Sequence, residues 1–412
     1  MFFYHLSWLL PRVIASVPGG ESGLATVVGL STEGYSIATS LVQNGVETII
    51  VDENLQMGMR LTTDIASMYG SVGSLLEGET LVGLEPMDVA IRRAKYIFFT
   101  PKIRRREQEA KAEVASRFRD AMKSIVKGAT IIFCLPVGFK DNMGNVSIIK
   151  KMSGLEPDQD VHYIYMPLKA RAKIARVLGA EENIDSKTLE IIKRAAIKTP
   201  QQVGYDSAEL ICFREVLSDF LSMALDLEVG KKVEDRGERA RMKNAIQYKE
   251  AYIDNVVENL LDLKFALSTL DTGDPALYLA SGVLKSVEGY AKYLVDEIRQ
   301  VMRERDLKAS KTKVTLAWSV DRFEMRGERL ATLDGIADRL HDYIGDVNIL
   351  NGEANPVAAR GFTKMLTNRN KVDIVVICSD GDYKQASNAF NLKEGPSDTI
   401  IMNADLFIDE YR

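Results

Sequence analysis

Residues 25–52, ATVVGLSTEGYSIATSLVQNGVETIIVD, constrain this chain more tightly than any other stretch. An apolar strand runs into a glycine-bearing turn, then a helix, then a second apolar strand that ends on an acid, Asp52. That succession is the outline of a βαβ unit that holds a dinucleotide, with phosphates on the helix N-terminus and the acid on a ribose hydroxyl. In such a unit Gly29, Leu30, Ser31 and Gly34 form the phosphate turn, and Asp52 selects NAD over NADP. The turn departs from the G-x-G-x-x-G pattern at its second glycine, where Ser31 adds a Cβ and a hydroxyl. Glu33 places an acid where a phosphate would rest, in competition for the same partial positive charge.

Short runs rich in Val, Ile, Phe and Tyr recur at 25–30, 48–52, 96–100, 130–135 and 161–166, with helical stretches such as 108–126 between them. Buried parallel strands read this way, and the alternation predicts a doubly wound α/β sheet. From about 186 the pattern turns helical, with Leu189, Ile192, Ala195 and Ala196, then Leu210, Phe213, Leu217 and Phe220 at helical spacing. The run 238–270 holds neither proline nor glycine and reads as one long amphipathic helix; Asp274-Pro275 ends it, and another helix follows through Arg305. Alternation returns after the mostly polar connector 307–313, with strands at 314–318, 347–350, 373–378 and 399–402 and helices at 329–343 and 382–390. The expected organisation is an N-terminal arm (1–20), a Rossmann-like dinucleotide-binding domain (21–185), a central spine of long helices (186–306) and a smaller Rossmann-like α/β domain (307–412). The spine is a natural site for a homodimer, the alternative being that its apolar faces simply pack on their own domain.

At 412 residues the chain has length for two or three domains. A net charge of −5 argues against a general nucleic-acid binder. The apolar opening, MFFYHLSWLLPRVIASV, is interrupted by Pro11 and Arg12, too early for a membrane span, and lacks the basic start of a signal peptide. It reads as an arm or strand laid on the body or on a partner subunit. The three cysteines, Cys134, Cys212 and Cys378, are too few and too scattered for a disulfide framework, which suits a reducing cytoplasm. Each reads as a small buried hydrophobe, and no cysteine or histidine cluster suggests a metal. Two basic runs follow predicted strand ends: Lys102, Arg104, Arg105 and Arg106, then Lys169, Arg171, Lys173 and Arg176. Separate, they are solvated charges; convergent, they would build an anion site.

Several fragments share an order with one known family. Thr100-Pro101 follows the strand YIFF, and Pro136-Val137-Gly138 follows IIFCL. Ser153-Gly154-Leu155 precedes HYIYMP, which ends on Pro167; Ala208-Glu209-Leu210, Glu215, Ala224-Leu225 and Glu228 lie on the central helix. LAWSVDRFEMR carries Asp321, Glu324 and Arg326, and VDIVVICSDGDYK follows in the last domain. Together these resemble the UDP-glucose/GDP-mannose 6-dehydrogenases, nearest in appearance to the UDP-N-acetylmannosamine branch, over residues 25–410. The resemblance implies NAD as cofactor, with Thr100, Pro101 and Pro136 joining the cofactor site, a nucleotide-sugar ligand bound toward the last domain, a soluble cytoplasmic protein and a homodimer.

The same resemblance implies a thiol that forms a thiohemiacetal, from which hydride leaves readily. No G-G-x-C segment exists; the matching stretch is LSTLDTGDP, with Leu270 nearest the thiol position. The family's glutamate falls on Leu168, its lysine on Cys212, its asparagine on Val216, a second lysine on Ser319 and an arginine near Asp405. A leucine neither takes a proton nor holds an anion, so the working groups are lost together and the sequence assigns no catalytic residue. Two functions stand: an NAD(P)-binding oxidoreductase-type scaffold with altered or lost four-electron sugar oxidation, or a non-catalytic dimeric relative that binds a nucleotide or a protein.

Overall fold

A computed structural model describes residues 23–78, 83–233, 235–246, 251–350, 373–389 and 399–411. The proposed N-terminal arm lies outside them. Among the described residues fourteen strands form two sheets. The first sheet holds β1 (Ala25–Val28), β2 (Thr48–Asp52), β3 (Met57–Leu61), β4 (Leu84–Pro86), β5 (Tyr96–Phe99), β6 (Thr130–Phe133), β7 (His162–Tyr165), β8 (Leu178–Gly179) and β9 (Gln202–Val203), in the order β4-β3-β2-β1-β5-β6-β7-β8-β9. Strands β2, β1, β5, β6 and β7 run parallel, flanked by β3 and β4 as an antiparallel extension. The second sheet orders β11 (Asp346–Leu350), β10 (Lys313–Ala317), β12 (Ile374–Ile377), β13 (Ile400–Asn403) and β14 (Asp409–Tyr411), parallel except for the last pair.

The expected strands form because each is a run rich in β-branched or aromatic residues; β1, β5, β6 and β12 are buried at every position, as strands covered on both faces are. Phe99, Phe133 and Phe118, the last on helix Glu107–Met122, meet with ring centroids 5.1–5.2 Å apart and lock that helix to the sheet. Strand order reverses between β1 and β5. A doubly wound sheet opens a crevice at such a reversal, at the carboxyl ends of the strands.

The longest helix among the described residues is Tyr205–Gly230, about 39 Å at 1.5 Å per residue. It rests against helix Pro275–Glu288. The run 238–270 is not the single helix that its composition suggests. It forms Arg236–Ala245, Ile253–Glu258 and Leu260–Leu267, with residues 247–250 outside the description. The reason is long-range: the N–H groups of Ile253 and Asp254 donate to the carbonyls of Ala404 and Cys378 (2.8 and 3.2 Å), so the second sheet takes bonds that a continuous helix would keep. Asn259, between the next two pieces, turns its side-chain oxygen to Arg176 at 2.7 Å. No helix among the described residues is long and apolar enough to cross a membrane.

Gly29 has φ 128°, a region essentially closed to L side chains, and a Cβ there would lie 2.1 Å from the Thr100 carbonyl oxygen. Gly29→Ala is expected to destabilise the protein by about 3–5 kcal/mol. Gly45, with φ 75° and nothing within 4 Å of a built Cβ, serves as control. Its replacement by Ala should cost about 1–2 kcal/mol, and denaturant titration of both variants by circular dichroism measures the gap.

Candidate functional site

Gly29, Leu30, Ser31 and Gly34 meet Thr100 and Pro101 at the reversal between β1 and β5. A Cβ on Gly34 would lie 2.4 Å from the Gly29 carbonyl and 2.5 Å from Thr100 Oγ1, so the close approach of helix Thr32–Gln43 to the strands needs this glycine. Ser31, where the pattern has its second glycine, is fully buried and caps that helix. Its hydroxyl accepts the Gly34 N–H at 3.0 Å and donates to the Thr100 carbonyl at 2.7 Å. Thus Ser31 ties the turn to the Thr100-Pro101 strand end. Pro136 is buried one strand further over, after β6.

A helix start binds a phosphate through first-turn N–H groups that no protein atom has taken. Here several are taken. Thr32 N donates to the Phe323 carbonyl at 2.8 Å, Leu30 N to Glu53 Oε2 at 3.1 Å, and Gly34 N to Ser31. Asp52, the expected ribose acid, instead accepts from Asn54 and Leu55 N–H (2.9 and 3.3 Å) in its own turn. The neighbouring Glu53 is the acid that reaches inward. Its Oε1 accepts from Lys102 N at 2.9 Å and from Arg117 at 2.6 Å, so one carboxylate bridges the β1, β2 and β5 loops.

Phe323 belongs to segment 319–327, which leaves the second sheet after β10 and lies across the crevice of the first. Thr32 also donates its hydroxyl to Asp321. Glu33 is buried, and its carboxylate accepts from Met325 N (2.9 Å) and Arg171 N (3.3 Å). The acid that would repel a phosphate therefore fastens the segment, favourably placed at a helix N-terminus. Ile103 N donates to the Met325 carbonyl at 2.7 Å, and the Arg104 guanidinium to the carbonyls of Arg322 and Glu324 at 2.6 and 2.8 Å. The half-buried Phe323 ring has Arg322 and Lys102 at 5.0 and 5.8 Å from its centroid.

Buried ion pairs hold the other side of the segment. Arg326 donates to both oxygens of Asp262 (2.7 and 3.0 Å) and to the Leu168 carbonyl (2.8 Å). Arg176 approaches the same Asp262 at 3.3 Å. Arg329 bonds Glu324 and Asp254, while Arg171 reaches Asp254 and Glu258 at 3.0 and 2.8 Å. Trp318, fully buried, donates its indole N–H to Asp254 at 2.6 Å. Such pairs contribute little net stability but are expensive to break singly, so they fix one docking geometry.

The two basic runs do not converge into an anion site. Arg104 is turned onto carbonyls, Lys173 donates to Ser40 at 2.6 Å, Lys169 pairs with Glu215, and Arg171 and Arg176 belong to the ion pairs just described.

At the positions where the resemblance implies chemistry, Leu168 and Val216 are buried apolar side chains. Cys212 is buried near Tyr165, and burial pushes its thiol up to about 12. Cys134 and Cys378 are likewise buried, with pKa values raised by desolvation. No thiolate is available at neutral pH from any of the three. Ser319 is bonded through N–H and hydroxyl to Asp382, and Asp405 pairs with Lys243 at 2.5 Å. Thr269, in the stretch matched to the thiol loop, accepts the Phe139 N–H at 2.8 Å and covers Gly138, where a Cβ would meet it at 2.4 Å. Among the described residues no group of His, Cys, Asp and Glu could hold a metal ion.

No family model matches the chain, and neither does any curated protein. Solved structures do match over nearly its whole length. A UDP-glucose dehydrogenase from the hyperthermophilic archaeon Pyrobaculum islandicum superposes with a TM-score of 0.61 at 13% identity, covering 96% of each chain. A UDP-D-ManNAc dehydrogenase from Pyrococcus horikoshii gives 0.59 at 12% identity, over 92% of this chain and 99% of that one. The UDP-N-acetyl-mannosamine dehydrogenase Cap5O from Staphylococcus aureus gives 0.54 at 14%, over 93% and 99%. The chain has the fold of the nucleotide-sugar dehydrogenases, with sequence far diverged from theirs.

Glu328, just past the segment, gives a pH signature. Burial pushes its carboxyl up to about 7 from the ordinary 4.5, and its Oε2 finds no donor among the described residues. The folded pKa lies above the unfolded one, so folding takes up a proton between them. Stability from this group is full below pH 4.5, falls as pH rises through that window, and stays reduced above about 7. Glu328→Gln removes the effect. The melting temperature of the variant relative to the parent should rise from pH 5 to pH 8, as differential scanning calorimetry would register; a difference constant with pH would contradict the assignment.

Proposed function

We propose that this chain is a non-catalytic relative of the nucleotide-sugar dehydrogenases: a dimeric scaffold that fills its dinucleotide crevice with its own segment 319–327 and works by binding rather than by oxidation. The observation that carries this reading is the bond from Thr32 N–H, on the first helical residue, to the Phe323 carbonyl. A pyrophosphate would lodge at that N–H. As arranged, the turn does not fit one. To seat NAD, the chain gives up that bond, the Thr32–Asp321 bond and the Met325–Glu33 bond. Each is worth roughly 1 kcal/mol net, and two carboxylates would then face the added negative charge. The three bonds alone lower the affinity by roughly a hundredfold relative to an open turn, and the carboxylates lower it further.

The catalytic positions support the same reading. The proton acceptor, the thiol and the anion-stabilising lysines and asparagine that the resemblance implies are replaced by Leu168, Leu270, Cys212, Ser319 and Val216. The other reading, an NAD(P)-binding oxidoreductase with altered chemistry, has the support of Gly29 and Gly34, which retain the backbone roles that the phosphate turn requires. Titration with NADH, followed by its fluorescence, separates the two. We expect no saturable signal up to about 1 mM, and no NADH from mixtures of NAD with UDP-sugars. Micromolar NADH affinity would restore the oxidoreductase reading.

Support for a homodimer comes from Ile211, Leu225 and Val229, exposed apolar residues that fall on one stripe of helix Tyr205–Gly230, and from exposed Tyr278 and Leu279 on helix Pro275–Glu288, which packs against it. Light scattering should give twice the chain mass for the parent and the single-chain mass for Leu225→Glu. An unchanged mass for the variant would place the contact elsewhere.

A further inference from the structure

A second cleft, of about 370 Å³, opens among the 104–106 loop, the helices Ile253–Glu258 and Leu260–Leu267, the start of helix Tyr290–Glu304, and helix Glu328–His341. Its volume lies in the range of small-molecule sites. It shares Arg104 and Gly327 with the filled crevice and is otherwise separate from it. Val257, Leu260, Val287 and Ala331 give it an apolar wall. Five cations, Arg104, Arg105, Arg106, Lys264 and Arg339, line it against two carboxylates, Glu288 and Glu328. Glu288 is paired with Lys264 at 2.9 Å. Arg106 and Arg339 are exposed and make no ion pair among the described residues.

A second observation is independent of the charges. Gly335 sits in the middle of helix Glu328–His341, faces this cleft, and has nothing within 4 Å of a built Cβ. Neither strain nor close approach requires glycine there, and a mid-helix glycine costs about 1 kcal/mol relative to alanine. Gly335 leaves open space on the cleft wall one helical turn before Arg339, enough for a methyl group but not for a long side chain.

We propose that this cleft binds a small amphipathic oxyanion: a carboxylate or phosphate monoester held by the Arg106 and Arg339 guanidinium groups, its apolar or ring body on Val257, Leu260 and Ala331, over Gly335. Guanidinium forks match both anion types, and the wall accounts for a body beyond the anion. The assignment does not depend on whether the dinucleotide crevice is filled.

Calorimetric titration of the full chain with phenyl phosphate, benzoate and inorganic phosphate tests it. Phenyl phosphate or benzoate should bind with a Kd below about 1 mM, at least tenfold tighter than inorganic phosphate, and more weakly as salt rises. The stronger of the two aromatic probes identifies the anion type. Gly335→Ala should retain this affinity. Gly335→Glu and Arg339→Ala, each with an unchanged circular dichroism spectrum, should each lose it at least tenfold. If neither aromatic probe binds below about 10 mM, or if Gly335→Glu binds as the parent does, the proposal is wrong. Preference for inorganic phosphate would also overturn it, because the apolar wall would then have no part.

Discussion

The start of helix Thr32–Gln43 is the point on which the rest of this molecule turns. A buried helix start presents N–H groups that need acceptors, and a parallel α/β sheet aims them at its crevice. A related fold can leave them for a ligand. Here the chain answers them itself: Ser31 caps one, the Phe323 carbonyl takes another, and Glu53 takes the Leu30 N–H just before the helix. Once segment 319–327 is drawn in to supply those acceptors, Glu33, Arg104, Arg171 and Arg326 acquire fixed partners, and the two sheets are clamped in one arrangement.

This explains how an acid in the phosphate turn is tolerated. Glu33 is unfavourable beside a phosphate and favourable beside two backbone N–H groups at a helix N-terminus. The positions where the resemblance implies chemistry fit the same pattern. Buried between Arg176 and Arg326, Asp262 is held in ion pairs, and the aliphatic Leu168 and Val216 need no solvent access. Asp321, Glu324 and Arg326, the charged residues retained from the family-like motif, serve as clamp members.

The sequence made legible what local sterics and periodicity determine. Gly29 and Gly34 mark the turn because only glycine fits there, and the main strands announce themselves by composition within two residues of their observed ends. Segment 319–327 was recognisable as a motif, but not as a plug, because Thr32 and Asp321 are 289 residues apart and no spacing rule reaches that far. Glu53 escaped notice for a smaller reason: the strand-end pattern drew attention to Asp52, one residue earlier, and the adjacent acid carried no separate signal. The broken helix after Arg236 was hidden likewise, since its N–H acceptors lie on Ala404 and Cys378. A hint was available in the charged residues of LAWSVDRFEMR, which persist while their expected catalytic partners are missing.

The bond between the Trp318 indole and Asp254 has an optical consequence. Indole emission responds to the polarity around the ring, and this ring sits without solvent contact where strand β10 leads into the clamp. The chain has two tryptophans, and the other, Trp8, lies outside the described residues. Trp318 is therefore an intrinsic lamp at the seam between the two halves, and its colour changes if that seam parts and water enters.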